Sequence, residues 1–171
     1  GFITTYEKEV GRLNRGGEAD PDKVKKLSDV QQEAYNQIVF QFLKKKVVLL
    51  RGVTSSGKTE LYIHLIRQAL ERHEQVLYLL PEIALTTQIT ERLRRVFGED
   101  MAVYHSKFPD RDRVELWKRQ LSDHPYPLIL GVRSALFLPF RNPGLVVVDE
   151  EHETSFKQQD PAPRYHARDA A

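Results

Sequence analysis

Cysteine is missing from this 171-residue chain. Its absence excludes disulfides, thiolate zinc sites and cysteine nucleophiles, and it fits a reducing compartment. Long apolar runs are missing too. Nothing approaches the roughly 18 consecutive apolar residues of a membrane span, and no secretory signal opens the chain. A cytoplasmic location with no membrane association is expected. Charge of one sign is also scarce: 26 Lys and Arg stand against 24 Asp and Glu, a net +2. Bulk charge therefore gives no argument for nucleic acid. What is present is ordinary for a soluble globular domain, with 40% hydrophobic and 29% charged residues. The length allows one domain with a sizeable core.

Residues 1–26 differ from the rest. GGEADPDKVKK at 16–26 is polar, has two Gly and one Pro, and shows no periodicity. It reads as a linker or mobile segment, and the whole sequence is expected to be a piece of a longer chain. From Leu27 onward helical and strand patterns alternate. Helices are expected over 28–45 behind a Ser28 cap, 58–72, 84–97 and 110–123. Short, wholly apolar strands are expected at 46–52, 74–81, 101–106, 127–132 and 145–149. Strands of that kind separated by helices imply a parallel sheet covered on both faces, an α/β sandwich of three layers. Trp117, with Val114 and Leu121 at helical spacing, is expected in the core.

The first strand leads into RGVTSSGKTE at 51–60. Gly52, four residues, then Gly57-Lys58-Thr59 is the phosphate-loop pattern, placed between a strand and a helix as the motif requires. Glycines let the backbone curl around an anion, so that consecutive N–H groups of Thr54, Ser55, Ser56 and Gly57 point inward and the helix start adds its positive end. Lys58 would reach the β- and γ-phosphates of a nucleotide, and the Thr59 hydroxyl would sit on Mg²⁺.

Read alone, LVVVDEEHE at 145–153 is a buried strand ending in a solvated charge run, a metal site of Asp149, Glu151 and His152, or half of a nucleotide engine. Beside the phosphate loop the third reading prevails. Such enzymes need a carboxylate at the end of a second buried strand to hold Mg²⁺, and Asp149 is the first acid after the apolar run. Glu150 next to it suits a base for the attacking water. Behind the box, SFKQQDPAPRYHARD at 155–169 interleaves Phe156, Tyr165 and His166 with Lys157, Arg164 and Arg168. That mixture suits single-stranded nucleic acid, where bases stack on rings and cations follow phosphates; a plain loop is the alternative. Pro161 and Pro163 keep its middle non-helical.

Asp149-Glu150-Glu151-His152 resembles the DEAH-type box of superfamily 2 helicases, with Glu in the third place where Ala is usual. Together with LLPEIALTTQ (79–88), GVRSALFLPF (131–140), VVVDEEHETSFKQQ (146–159) and RYHARDAA (164–171), it resembles the bacterial replication-restart DNA helicases. The resemblance covers 27–171 and implies the first RecA-like, ATP-binding lobe of a two-lobed motor that moves 3′ to 5′. It implies ATP and Mg²⁺ as cofactors, and single-stranded or forked DNA, primosome proteins and single-strand-binding proteins as partners. Zinc is expected only in parts of such proteins outside this sequence, as are the second lobe and its arginine finger.

By the same resemblance, Lys58, Asp149, Glu150 and His152 are the catalytic set, with His152 linking the nucleotide to moving parts. Gln31 would read the adenine edge, with Gln32 as the alternative; an ordinary exposed Gln at a helix start is the competing reading. Thr86, Thr87 and Gln88 would touch the DNA backbone, although Thr residues also cap helices. Arg133 and Ser134 would make phosphate or coupling contacts. Phe156, Lys157, Arg164, Tyr165, His166 and Arg168 would form a loop that senses DNA.

Overall fold

The computed structural model describes residues 20, 23–52, 57–105, 107–160 and 162–171. Most of the expected linker, together with Thr54, Ser55, Ser56 and Pro161, lies outside the described residues. The elements run α1 (Asp29–Phe42), α2 (Lys58–Glu71), β1 (Gln75–Leu79), α3 (Thr87–Phe97), β2 (Met101–Tyr104), α4 (Asp110–Leu121), β3 (Leu128–Gly131), β4 (Pro143–Val148) and α5 (Ala167–Ala170). All strand pairings are parallel, in the order β2-β3-β1-β4.

Strand alternation divides the core into two faces. Val76 and Tyr78 of β1, Met101 and Val103 of β2, and Leu128 and Leu130 of β3 face α2 and α3, which contribute Ile63, Ile66, Ala69, Leu93 and Phe97. Leu77, Leu79, Ala102, Tyr104 and Ile129 point the other way, against Leu116 of α4 and Ala135, Phe156 and Ala167. The result is the expected three-layer α/β sandwich with a RecA-like parallel sheet. Helices and turns cover both faces, as parallel strands require.

Local chemistry sets the helix starts. Ser28 and Gln31 form a capping box on α1. Thr86 Oγ1 accepts from Ile89 N–H to cap α3.

Two expectations fail. Residues 46–52 form no strand. Leu50 packs against the core, but Val47 is 81% and Leu49 63% exposed, since no described element covers that side. The run has the composition of a buried strand without the ladder partners that would make it one, and among the described residues no strand pairs with the outer edge of β4. Trp117 is 44% exposed, as are Val114 and Leu121 in large part. The buried residues of α4 are Leu116 and Gln120, offset from the Trp117 stripe by about 100° per residue of helix. Gln120 is accommodated inside because its Oε1 accepts the Tyr126 N–H at 2.8 Å.

Candidate functional site

Parallel strands deliver their C-terminal ends to one edge of the sheet, where open α/β folds bind ligands. Asp149 follows β4 there and is pinned by its N–H, which donates to Leu79 O of β1 at 3.0 Å. Glu150 comes next with φ +51, the left-handed region that a non-glycine residue rarely adopts. Its N–H donates to Asp149 Oδ1 at 3.1 Å. The turn brings the Glu150 carboxylate to 3.5 Å from Lys58 Nζ, Oε1 being the near oxygen. Lys58 Nζ also donates to Gly52 O at 3.2 Å.

Gly57 opens α2 at φ +80. A Cβ there would lie 2.3 Å from Gln31 Nε2, because Gln31 donates to Gly57 O at 3.3 Å. Gln31 therefore reaches the phosphate loop from α1, while Gln32 donates to Asn36 Oδ1 within its own helix. Gly52, Lys58, Tyr62, Asp149, Glu150 and His152 share one groove of about 570 Å³ that continues along the open edge of β4. His152 is largely exposed, with Nδ1 3.8 Å from Glu150 Oε2. Among the described residues no group of three His, Cys, Asp or Glu side chains forms a metal cluster.

Buried tyrosines stand behind Asp149. Tyr78 Oη donates to Asp149 Oδ2 at 3.0 Å, and Tyr62 of α2 meets the Tyr78 ring edge-on at 5.7 Å. Burial pushes both phenols above their ordinary pKa, and the nearby Asp149 carboxylate pushes them further. A half-buried contact joins α2 to α3: Arg92 pairs with Glu60, immediately after Thr59.

The tail behind the box is folded. Residues 154–156 make a short turn, Lys157 bridges to His166, and Gln158 N–H donates to Tyr165 O at 2.8 Å. Arg133 organises it, donating from Nη1 to Ser155 O at 3.1 Å and Lys157 O at 2.8 Å. Its guanidinium also lies 5.8 Å from the centre of the Tyr165 ring, and Phe137 meets that ring edge-on at 5.0 Å. Arg168 Nη1 reaches Glu151 Oε2 at 2.9 Å, tying the tail to the box.

The sequence model of the DEAD/DEAH box helicases matches residues 28–170. The chain belongs to the DEAD/DEAH box helicase family. It is 40% identical over its whole length to the replication restart protein PriA of Synechocystis sp., and 44% identical over 145 residues, 85% of the chain, to that of Haemophilus influenzae. The Bacillus subtilis protein of the same name is 41% identical over 147 residues, again 85% of the chain. The chain spans 18–20% of the length of these relatives.

For a DEAD/DEAH box helicase, the structure gathers the expected Gly52, Lys58, Asp149, Glu150 and His152 around one groove, and the expected Gln31 bonds to Gly57 of the phosphate loop. Thr86, Thr87 and Gln88 are exposed at the start of α3, and Lys157, Arg164 and Arg168 are exposed on the tail. Three expected DNA contacts are not available as the helicase lobe stands. Phe156 is 0% exposed and anchors the tail in the core. The Arg133 guanidinium is occupied by the tail carbonyls, and Ser134 Oγ is enclosed without a hydrogen-bond partner. Tyr165 and His166 are half-buried. Sequence reasoning overlooked Tyr62, Tyr78 and the Glu60–Arg92 pair. The available signal was a tyrosine in the middle of the otherwise apolar strand QVLYL.

Proposed function

We propose that this chain is the ATP-binding lobe of a DNA helicase that acts in replication restart and primosome assembly and moves 3′ to 5′ on single-stranded or forked DNA. The observation that carries the reading is the convergence of Lys58 and Glu150, at 3.5 Å, beside Asp149 at the end of β4. The residues fit a nucleotide phosphate. The left-handed turn at Gly57 leaves no room for a Cβ, Lys58 brings a cation to the groove, and Asp149 and Glu150 are among the carboxylates that line it.

Asp149 and Thr59 would hold Mg²⁺, which when bound supplies positive charge against the phosphate oxygens. Lys58 exchanges its partners Gly52 O and Glu150 for phosphate oxygens. That frees Glu150 Oε1 to take a proton from the water that attacks the γ-phosphorus as the bond to the β-bridging oxygen breaks. Gln31, already at the loop, reads adenine. Thr86, Thr87, Gln88, Lys157, Arg164 and Arg168 present donors to the DNA backbone, and His152 passes the nucleotide state to the tail.

The test is ATP hydrolysis by the full-length protein with and without forked DNA, alongside Lys58→Ala and Glu150→Gln. DNA stimulation is expected, with both variants inactive and only Glu150→Gln still binding ATP. Absence of stimulation would favour an ATPase that does not act on DNA, and activity indifferent to either change would remove the assigned site. The 171-residue piece alone is expected to bind ATP–Mg²⁺ weakly and hydrolyse it slowly, because the arginine finger of such motors comes from a second lobe. Strong DNA-stimulated hydrolysis by the piece would overturn that expectation.

A further inference from the structure

We propose that Tyr78, supported by Tyr62, is a positioning residue that sets the orientation of the Asp149 carboxylate and with it the Mg²⁺ affinity of the site. The inference rests on the nucleotide reading above. Tyr78 occupies β1, between the two strands that flank it in the sheet, and is 0% exposed. A hydroxyl buried that deeply needs a partner, and Asp149 Oδ2 supplies it at 3.0 Å.

The other carboxylate oxygen, Oδ1, accepts the Glu150 N–H at 3.1 Å, and the Asp149 N–H is tied to Leu79 O at 3.0 Å. The carboxylate is thus held at both oxygens and at its backbone, so rotation about Cβ–Cγ is blocked. Each oxygen keeps a lone pair for the groove. Tyr62 belongs to the same helix as Lys58, one turn on, and lines the same groove as Asp149. Its ring braces that of Tyr78 at 75°. The phosphate-loop helix therefore braces the ring whose hydroxyl holds the acid of β4, and a ligand oxygen fixed this way is presented in one geometry.

The experiment uses the full-length protein. Binding of a fluorescent ATP analogue is followed as Mg²⁺ is titrated, and again in EDTA. Tyr78→Phe is expected to raise the half-saturating Mg²⁺ concentration by about tenfold and to leave the EDTA affinity unchanged. It should lower kcat without raising KM for DNA. In an Asp149→Asn background Tyr78→Phe should add nothing further. An unchanged Mg²⁺ requirement in folded Tyr78→Phe, or full additivity with Asp149→Asn, overturns the inference. Should Tyr78→Phe fail to fold, Tyr62→Leu, which removes the bracing ring, carries the test: a severalfold rise supports the inference and no change overturns it. If wild-type binding shows no Mg²⁺ dependence, the nucleotide reading fails and takes this inference with it.

Discussion

Arg168 and Glu151 meet at 2.9 Å although 17 residues of chain separate them. Glu151 is the third position of the box and Arg168 sits at the end of the tail. The pair is exposed, so its worth for stability is small and screened by salt. Its position suits it for signalling. Arg168→Ala is expected to leave basal ATPase within about twofold and to reduce DNA stimulation severalfold. The charge swap Glu151→Arg with Arg168→Glu should restore part of the loss. Steady-state ATPase at low and high salt reads both outcomes, and stimulation unaffected by Arg168→Ala would rule out coupling through the pair.

Arg133 holds two carbonyls of the tail with one nitrogen. A lysine ammonium has donors for both carbonyls, but it is compact and strongly hydrated and lacks the planar group that lies near the Tyr165 ring. Arg133→Lys is expected to cost about 1–3 kcal/mol locally. Hydrogen exchange should rise around 155–158, where the carbonyl acceptors lie, and α2 and β1 should exchange as before. Uniform protection would mean that the tail holds itself.

Gly57 is the residue where the phosphate loop turns into α2. At φ +80 an alanine pays roughly 1–2 kcal/mol for the left-handed backbone, and its Cβ would also displace the Gln31 amide. Gly57→Ala should therefore lower ATP affinity by about tenfold or more while the far side of the sheet melts as before. Calorimetric binding with thermal unfolding separates the two effects.

Alkaline pH should destabilise the lobe. Tyr62 and Tyr78 have folded pKa values raised above the ordinary 10.0 by burial and by Asp149. Below pH 10 both phenols are neutral in either state. Above it the unfolded chain ionises them first and binds fewer protons, so stability falls as pH rises from about 10 towards the folded values. Urea midpoints measured from pH 8 to 11 should decline above 10. Replacing both tyrosines with phenylalanine should flatten that decline.

Much of this was written in the sequence, and the failures share a cause. Ser28 and the glycine turn at 57 act through local chemistry and stand where their spacing placed them, whereas the Thr86 cap starts α3 at Thr87 and not at the expected 84. The continuous apolar runs of β1, β2 and β3 correctly implied burial on both faces. Val47 to Leu50 carry the same apolar signal, but a strand exists only where a neighbour completes its ladder, and a one-dimensional pattern does not name the neighbour. Trp117 was misplaced because two apolar stripes run along α4 and only the one through Leu116 meets the sheet. Phe156 looked like a stacking platform from its company of cations, yet its ring fills the core while the cations stay outside. For Tyr78, hydrophobic bookkeeping registered the ring and overlooked the hydroxyl, which is the part that reaches the site.

The bare edge of β4 has a consequence at the bench. Among the described residues no strand pairs with the outer edge of β4, and that edge, with Val47 and Leu49 exposed on the segment 46–52, offers a template for another chain. Preparations of this lobe should self-associate as they are concentrated, and scattering should rise first at low net charge, where +2 offers little repulsion. Val47→Lys, which blunts that edge without entering the groove, is the substitution to try before crystallisation.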